Sequence, residues 1–162
     1  MAPVCISDEH TAAVSAERLW KIFLDPRAVP KVFAGFIDAA EVEGGGGLGT
    51  ISTMKVNPAS VQGGGSYKSR VVVCDKAAWV IKWDILEAPP AKMGDKLKSH
   101  STEFKLQPTG NDSCLVDVKV EYERLGGGGG LSPDEEKTIL EGYVNMFKMS
   151  EAYLVAHPAE YA

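Results

Sequence analysis

Histidine, glutamate and tyrosine are the side chains of this chain that could move protons near neutral pH. The histidines are His10, His100 and His157, and Glu151 and Tyr153 lie together near the C-terminus. The sequence contains no H-E-x-x-H, no G-x-S-x-G and no Cys/His cluster, so metal-dependent and acyl-transfer chemistry have no support. We therefore expect no metal site and no cofactor. A lone histidine usually has a structural role. His100 is the exception: it becomes a candidate functional residue if its face of the strand points inward.

Glu151 and Tyr153 are two positions apart in a predicted helix, so their side chains point roughly 200° apart around its axis. They do not form a pair on one helix face. A solvated glutamate and a core tyrosine are the simpler interpretation, and catalysis is the alternative. Met146 and Met149, three positions apart, do share a face. Methionine suits both an ordinary core and a wall that adapts to varied ligands.

A glycine-rich stretch at residues 44–49 fits the G-x-G-x-x-G pattern of dinucleotide-binding loops. That pattern requires a helix directly afterwards, whereas Thr50-Ile51-Ser52 continues as a strand. The stretch also lacks the lysine of a triphosphate-binding loop. We predict a glycine hairpin whose backbone bends freely and whose N–H groups hold an anion weakly at best. The glycines concerned are Gly44, Gly45, Gly46, Gly47 and Gly49.

One long helix over residues 132–157 must position most of these groups. Ser132 suits the N-cap, Pro133 the first helical position, and Glu135 completes a capping box. The His157-Pro158 step ends the helix, because a residue before proline avoids the helical region. At about 1.5 Å per residue the helix is roughly 37 Å long. With an apolar stripe along one side, a helix of that length must lie across a large apolar surface.

The remainder of the chain predicts two short helices and seven strands. The helices cover residues 16–24, capped by Ser15, and 26–34, capped by Asp25, and they form a V. Strands with period-two alternation and short turns predict antiparallel hairpins. The predicted strands are 4–14, 36–43, 50–57, 66–75, 79–87, 96–107 and 114–123. This is an α+β fold in a single domain over residues 1–162.

Alternation in the last two strands indicates a hollow interior. Val116, Val118, Val120 and Tyr122 share one face of the final strand, which we take as the inner face. Either face of the strand over 96–107 carries hydroxyl groups or a histidine. A well-packed core would leave such groups without partners. A cavity that holds water or a ligand with a polar edge would not.

Composition limits the classes of partner. The formal net charge is −5 with 24% charged residues, which does not favour nucleic acid. No apolar run reaches membrane-spanning length, and the early acids Asp8 and Glu9 are unlike a signal peptide. Cys5, Cys74 and Cys114 have no paired spacing, so we expect buried free thiols in a reducing compartment. The expected location is the cytoplasm, with the nucleus as a second compartment.

Several motifs together resemble the class-ten pathogenesis-related proteins of plants, the family of the major birch-pollen allergen. These are residues 41–51 with the glycine loop, Leu19-Trp20-Lys21-Ile22-Phe23, and the ending Glu141-Gly142, Phe147-Lys148 and 151–158. The resemblance covers the whole chain and looks closest to members from grasses. It implies the helix-grip fold: a curved seven-stranded antiparallel sheet around the C-terminal helix, a V of short helices, and an internal hydrophobic cavity.

The resemblance also implies function. Members are intracellular defence and stress proteins that bind small amphipathic metabolites such as cytokinins, flavonoids and other hormones, including abscisic acid-like compounds. We expect a monomer or weak dimer; a ligand buffer without one dedicated ligand is the plainer alternative. The family's cavity positions correspond here to Phe23, Val32, Met54, Val56, Ile81, Trp83, Ile85, His100, Thr102, Phe104, Val118, Val120, Tyr122, Met146 and Met149.

Ribonuclease activity, with RNA as partner, is the alternative function that the resemblance implies. The family's proposed site combines the glycine loop, a lysine after it, a strand glutamate, and a glutamate and tyrosine on the long helix. Glu151 and Tyr153 match the last two. The lysine position is Ser52 here, with Lys55 nearest, and the strand glutamate position is Lys98. The catalytic set is therefore incomplete.

Overall fold

A computed structural model describes residues 3–89, 96–126 and 129–162. The chain begins with a strand and ends with a long helix, and the remaining strands lie between them. The order is β1 (Val4–Ala12), α1 (Ala16–Phe23), a 3₁₀ turn (Pro26–Ala28), α2 (Val29–Val32), β2 (Ile37–Glu43), β3 (Ile51–Val56), β4 (Ser66–Asp75), β5 (Val80–Glu87), β6 (Leu97–Gly110), β7 (Ser113–Arg124) and α3 (Pro133–Ala156). The sequence predicts a break between strands at Pro89-Pro90 and Gly94 and a flexible glycine tether at residues 126–130; residues 90–95 and 127–128 of these segments lie outside the described residues.

All seven strands of the described chain form one antiparallel sheet in the order β1-β7-β6-β5-β4-β3-β2. From β2 to β7 the strands follow one another as hairpins, and β1 crosses over to pair with β7. The register places His100 opposite Tyr122 and Thr102 opposite Val120. Because Val118, Val120 and Tyr122 are completely buried, the His100 face of β6 is the inner face. The predicted helix-grip architecture is confirmed.

The V of short helices differs from the prediction at its second arm. Ser15 caps α1 as expected, because its hydroxyl accepts a hydrogen bond from the Arg18 N–H at 3.2 Å. Asp25 makes no cap bond to the second helix. Its carboxylate instead accepts from the Tyr161 hydroxyl at 2.6 Å. The arm therefore begins as a 3₁₀ turn, and α2 proper has only four residues.

Helix α3 carries the predicted capping box. The Glu135 N–H donates to the Ser132 hydroxyl at 3.2 Å, and the Ser132 N–H donates to the Glu135 carboxylate at 3.1 Å. The 24 residues span about 36 Å. Beyond its last turn, Arg18 Nη2 donates to the carbonyls of Leu154, His157 and Glu160, each at 2.9 Å. This guanidinium joins α1 to the C-terminal end of α3.

Two expectations are wrong, one about the end of the first strand and one about the burial of the cysteines. We predicted β1 to extend to Val14, but it ends at Ala12, because the next N–H, that of Ala13, donates to the Glu151 carboxylate instead of continuing the ladder. We also expected three buried thiols. All three cysteines are free, but Cys5 is exposed on β1, Cys74 is half-buried, and only Cys114 is buried.

No described helix combines the length and apolar character of a membrane span.

The glycine-rich hairpin between β2 and β3 is fixed against α1. Gly46 has φ +105°, and a Cβ built on it would lie 2.0 Å from the Leu24 carbonyl oxygen at the end of α1. The Gly46 N–H donates to the buried Thr50 hydroxyl at 2.9 Å, and Arg27 Nη2 donates to the Gly44 carbonyl at 3.1 Å. The Gly49 N–H donates to the Val71 carbonyl at 2.8 Å. The loop is therefore a packed hairpin rather than an open nest of N–H groups.

We expect Gly46→Ala to lower the free energy of unfolding by at least about 2 kcal/mol, because the positive φ disfavours a side chain by about 1–2 kcal/mol and the new methyl group clashes with the Leu24 carbonyl. Urea denaturation measures the loss. Gly45→Ala is the matched control, since nothing lies within 4 Å of its added Cβ, and we expect a change below about 1 kcal/mol. Equal effects at the two positions would contradict the packing of this loop on α1.

Candidate ligand-binding interior

Aromatic side chains close the interior at the α1 end. The ring of Phe104 on β6 lies 4.8 Å from Trp83, 5.2 Å from Phe23, 4.7 Å from Phe147 and 5.8 Å from Tyr143, measured between centroids. These edge-to-face contacts join α1, the sheet and α3 in one cluster. The cluster forms a rigid apolar wall.

Accessible space remains on the inner side of the sheet. Met54, Tyr67, Trp83 and Ile85 lie on the inner faces of β3, β4 and β5, and each of these strands has neighbours on both sides. All four side chains are nevertheless only half-buried. The backbone of α3 approaches mainly β1, β7 and the two short helices. A space therefore lies between α3 and the inner faces of β3–β5.

A polar cluster borders this space. The Tyr143 hydroxyl of α3 and Nε2 of His100 lie 3.1 Å apart. His100 Nδ1 and Thr102 Oγ1 are both buried without a hydrogen-bond partner among the described residues. Leaving such an atom unpaired costs about 1–3 kcal/mol. Two unpaired polar atoms side by side on one strand point to a group that the protein itself does not supply.

Burial sets the charge state of the cluster. It lowers the pKa of His100 to about 4, so the imidazole is neutral at physiological pH. Burial also raises the pKa of Tyr143, with a smaller contribution from nearby Tyr67, whereas the neighbouring Thr102 hydroxyl lowers it. Burial raises the pKa of Tyr67 as well. All three groups are therefore uncharged, and each is chemically able to donate or accept a hydrogen bond.

The structure brings the predicted ligand positions to one side of the sheet. His100, Thr102, Phe104, Ile81, Trp83, Ile85, Val118, Val120, Met54 and Val56 lie on inner faces, and Phe23, Val32, Met146 and Met149 come from the helices. Tyr122 differs from the others because its hydroxyl has other partners. It accepts from the Leu131 N–H and donates to Glu136, both at 2.7 Å. Tyr122 thus holds the start of α3 and has no free hydroxyl to offer.

The two candidate catalytic residues point to different surroundings. The Glu151 carboxylate contacts His10 Nε2 at 3.2 Å and accepts from the Ala13 N–H, which ties α3 to β1. The Tyr153 hydroxyl donates to Glu160, and its ring stacks on His157 at 4.2 Å. Both side chains thus have structural partners, and they do not converge on one site. Lys55 and Lys98 are exposed.

Sequence reasoning missed Tyr67, Tyr143 and Phe147 as cavity residues. Tyr143 and Phe147 were assigned only to the apolar stripe of α3, although Tyr143 is three positions before Met146 on the same face. Tyr67 is opposite Met54 in the β3–β4 register. Strand alternation could have identified it, but the register between the two strands was not known.

Two surface depressions of about 450 and 400 Å³ lie beside β1. Acidic and basic side chains together line both of them, and Val118 is the one predicted ligand residue among the lining residues. They are separate from the interior. Within the described residues, no group of three histidine, cysteine or acidic side chains is placed to hold a metal ion.

Residues 3–147 match the family described as polyketide cyclase / dehydrase and lipid transport. The match covers most of the chain. The chain belongs to this family. Its relatives include Pathogenesis-related protein 1 of Asparagus officinalis, which is 33% identical over 162 residues that cover 96% of each chain. The predicted resemblance to pathogenesis-related proteins is confirmed, whereas the closeness to grass members stays a prediction.

Solved structures confirm the fold of this family member. The crystal structure of Ara h 8.0201 has a TM-score of 0.78 and 20% identity and covers 96% of this chain and 99% of that chain. Norcoclaurine synthase from Thalictrum flavum has a TM-score of 0.71 and 22% identity, with coverage of 96% and 90%. At these identities the likeness concerns the arrangement of sheet and helices.

In this family member we expect the neutral, buried His100 to make stability pH-dependent. The unfolded chain takes up a proton near the ordinary pKa of 6.5, whereas the folded protein does so only near 4. The stability is therefore complete above about pH 6.5 and is lost as the pH falls towards 4, by about 3 kcal/mol.

Urea denaturation at several pH values between about 4 and 6.5 measures how the free energy of unfolding changes with pH. His100→Gln should make this dependence weaker, because glutamine does not titrate. His157→Gln is the control, since it removes an exposed histidine and leaves His100 in place. An unchanged slope in His100→Gln would show that His100 is not the group responsible.

Proposed function

We propose that the space between α3 and the inner faces of β3–β6 binds small amphipathic metabolites. The observation that carries this proposal is the pair of buried, unpaired polar atoms, His100 Nδ1 and Thr102 Oγ1, on an otherwise apolar wall. Apolar walls supply affinity, and a few polar groups fix orientation. The family description, which names lipid transport, supports an apolar cargo.

The binding free energy expected from apolar burial can be estimated for a small hormone-like molecule. Burying about 200 Å² of apolar ligand surface contributes roughly 5 kcal/mol at about 25 cal/mol per Å². Hydrogen bonds add to this value, and the loss of translational and rotational freedom reduces it. Micromolar affinity corresponds to about 8.2 kcal/mol, so it requires a larger buried apolar area than this or a net gain from hydrogen bonds. Cytokinins, flavonoids and abscisic acid-like compounds are the candidate ligands that we carry forward, together with a role in defence or stress.

The biological setting belongs to the same proposal. The pathogenesis-related relative from asparagus supports a defence role for this chain. We propose a monomer or weak dimer in the cytoplasm, with the nucleus as a second compartment. A single ligand-binding domain over residues 1–162 fits the continuous sheet, since β1 and β7 pair across nearly the whole chain.

Two adjacent positions on β5 test the location of the site. Ile85 points inward, whereas Leu86 lies at a register shift without a partner on β4 and its side chain is 46% exposed. We expect wild-type protein to bind a cytokinin or a flavonoid at micromolar concentration in calorimetric titrations. Ile85→Trp should weaken binding at least about tenfold because the indole occupies the ligand space. Leu86→Trp, the matched control, should leave it unchanged. No binding across the panel, or equal affinity in both variants, would contradict the site.

Ribonuclease activity has less support. Glu151 is bound to His10 and Ala13, and Tyr153 to Glu160. The double variant Glu151→Gln with Tyr153→Phe is the discriminating test. If these side chains were the catalysts, RNA degradation would be lost. We expect any degradation by the preparation to persist undiminished, which would assign it to other groups or to a contaminating nuclease.

A further inference from the structure

We propose that the interior selects uncharged ligands that carry a hydroxyl group, and that this hydroxyl bonds to His100 and Thr102 beside Tyr143. The inference rests on the proposed function and names the chemical class that the same site takes. It separates neutral alcohols and phenols from carboxylates and amines of equal size, so among the candidate ligands it favours hydroxylated flavonoids and cytokinins over abscisic acid-like carboxylates. The argument depends on the position of the unpaired atoms, on their hydrogen-bonding capacity and on the charges around them.

The unpaired atoms lie together. Thr102 is 2% exposed and follows His100 by two positions on the inner face of β6. Successive inward side chains on a strand are neighbours, about 6–7 Å apart along the strand. The Tyr143 hydroxyl already contacts Nε2 of His100, so the imidazole ring is fixed and its Nδ1 is the nitrogen that remains for a ligand.

A hydroxyl group suits either hydrogen arrangement of this cluster. If Tyr143 donates to Nε2, then His100 carries its hydrogen on Nδ1 and needs an acceptor. If Nε2–H donates to Tyr143, then Nδ1 needs a donor. The Thr102 hydroxyl can both donate and accept. A ligand hydroxyl satisfies both cases, whereas a carbonyl or carboxylate only accepts and an ammonium only donates.

The inner wall offers no opposite charge to a charged ligand within the described residues. The charged residues at the ends of these strands, Glu87, Lys98 and Arg124, are exposed. The other inner-face residues of β3 to β7 that form the wall are uncharged at neutral pH, with His100 neutral. They are Ser52, Met54, Val56, Tyr67, Ser69, Val71, Ile81, Trp83, Ile85, His100, Thr102, Phe104, Leu106, Val116, Val118, Val120 and Tyr122.

A charged ligand therefore meets a desolvation cost that nothing on this wall offsets. Burying an unpaired ion costs several kcal/mol. Glu136, whose carboxylate accepts from Tyr122 opposite His100, adds repulsion against an anion. A cationic ligand would find no negatively charged partner at His100 or Thr102, because both side chains are neutral.

Three probes of one ring system test the inference: naphthol, naphthoate and naphthalene, titrated at about pH 7, where only naphthoate is charged. We expect wild-type protein to bind naphthol at least about tenfold more tightly than either of the others. Thr102→Val should reduce naphthol binding several-fold and leave naphthalene binding unchanged. It should also raise the melting temperature, because it removes an unpaired buried hydroxyl. Ser101→Ala, on the opposite face of the same strand, is the matched control.

The outcomes separate the two proposals. If none of the probes binds, the proposed function fails and the selectivity fails with it. If all three bind with similar affinity, the interior is a binding site but the selection of a neutral hydroxyl is wrong. If naphthoate binds best, the charge argument is overturned. If both Thr102→Val and His100→Gln leave the preference for naphthol intact, the hydroxyl does not bond where we place it.

Discussion

The fold depends on how α3 is attached to the sheet. Its beginning is held by Tyr122, which bonds both the Leu131 N–H and Glu136, and its end is held by the Arg18 guanidinium. Between them, Glu151 ties the helix to β1. These polar contacts fix α3 over the β1–β7 side, so one helix cannot also cover β3–β5. The apolar surface that α3 leaves uncovered borders the space in which we propose that ligands bind.

That arrangement gives the interior two different ends. Near α1, Phe104 packs edge-to-face against rings from three other elements, which excludes water and sets a rigid limit. Near the middle of α3, His100, Thr102 and Tyr143 provide hydrogen-bonding capacity that is only partly used. In the protein without a bound ligand, unpaired buried polar atoms lower the free energy of unfolding. In the ligand-binding function that we propose, these atoms make the interior selective, since a ligand that pairs with them recovers that free energy.

The glycine-rich loop shows why a motif must be interpreted in its structural context. Its sequence fits a phosphate-binding pattern, but its N–H groups donate to Thr50 and Val71, and Gly46 packs against the Leu24 carbonyl. The glycines are needed for positive φ values and for close contact with α1. Likewise, Glu151 and Tyr153 match a proposed catalytic pair, but each has a structural partner from another part of the chain.

The sequence by itself determined what depends on neighbouring residues: the α3 capping box, the end of α3 before Pro158, the antiparallel hairpins of consecutive strands, and the fact that His100 and Thr102 share one strand face. These follow from local propensity and periodicity, so they could be read directly. Tertiary structure alone decided which contacts join distant residues. It placed Tyr143 beside His100 and Tyr67 near Tyr143, gave the Tyr122 hydroxyl to Glu136 and Leu131, and directed the Asp25 carboxylate to Tyr161 instead of to a helix cap. Such pairings depend on strand register and helix position, which are set by the packing of the whole chain.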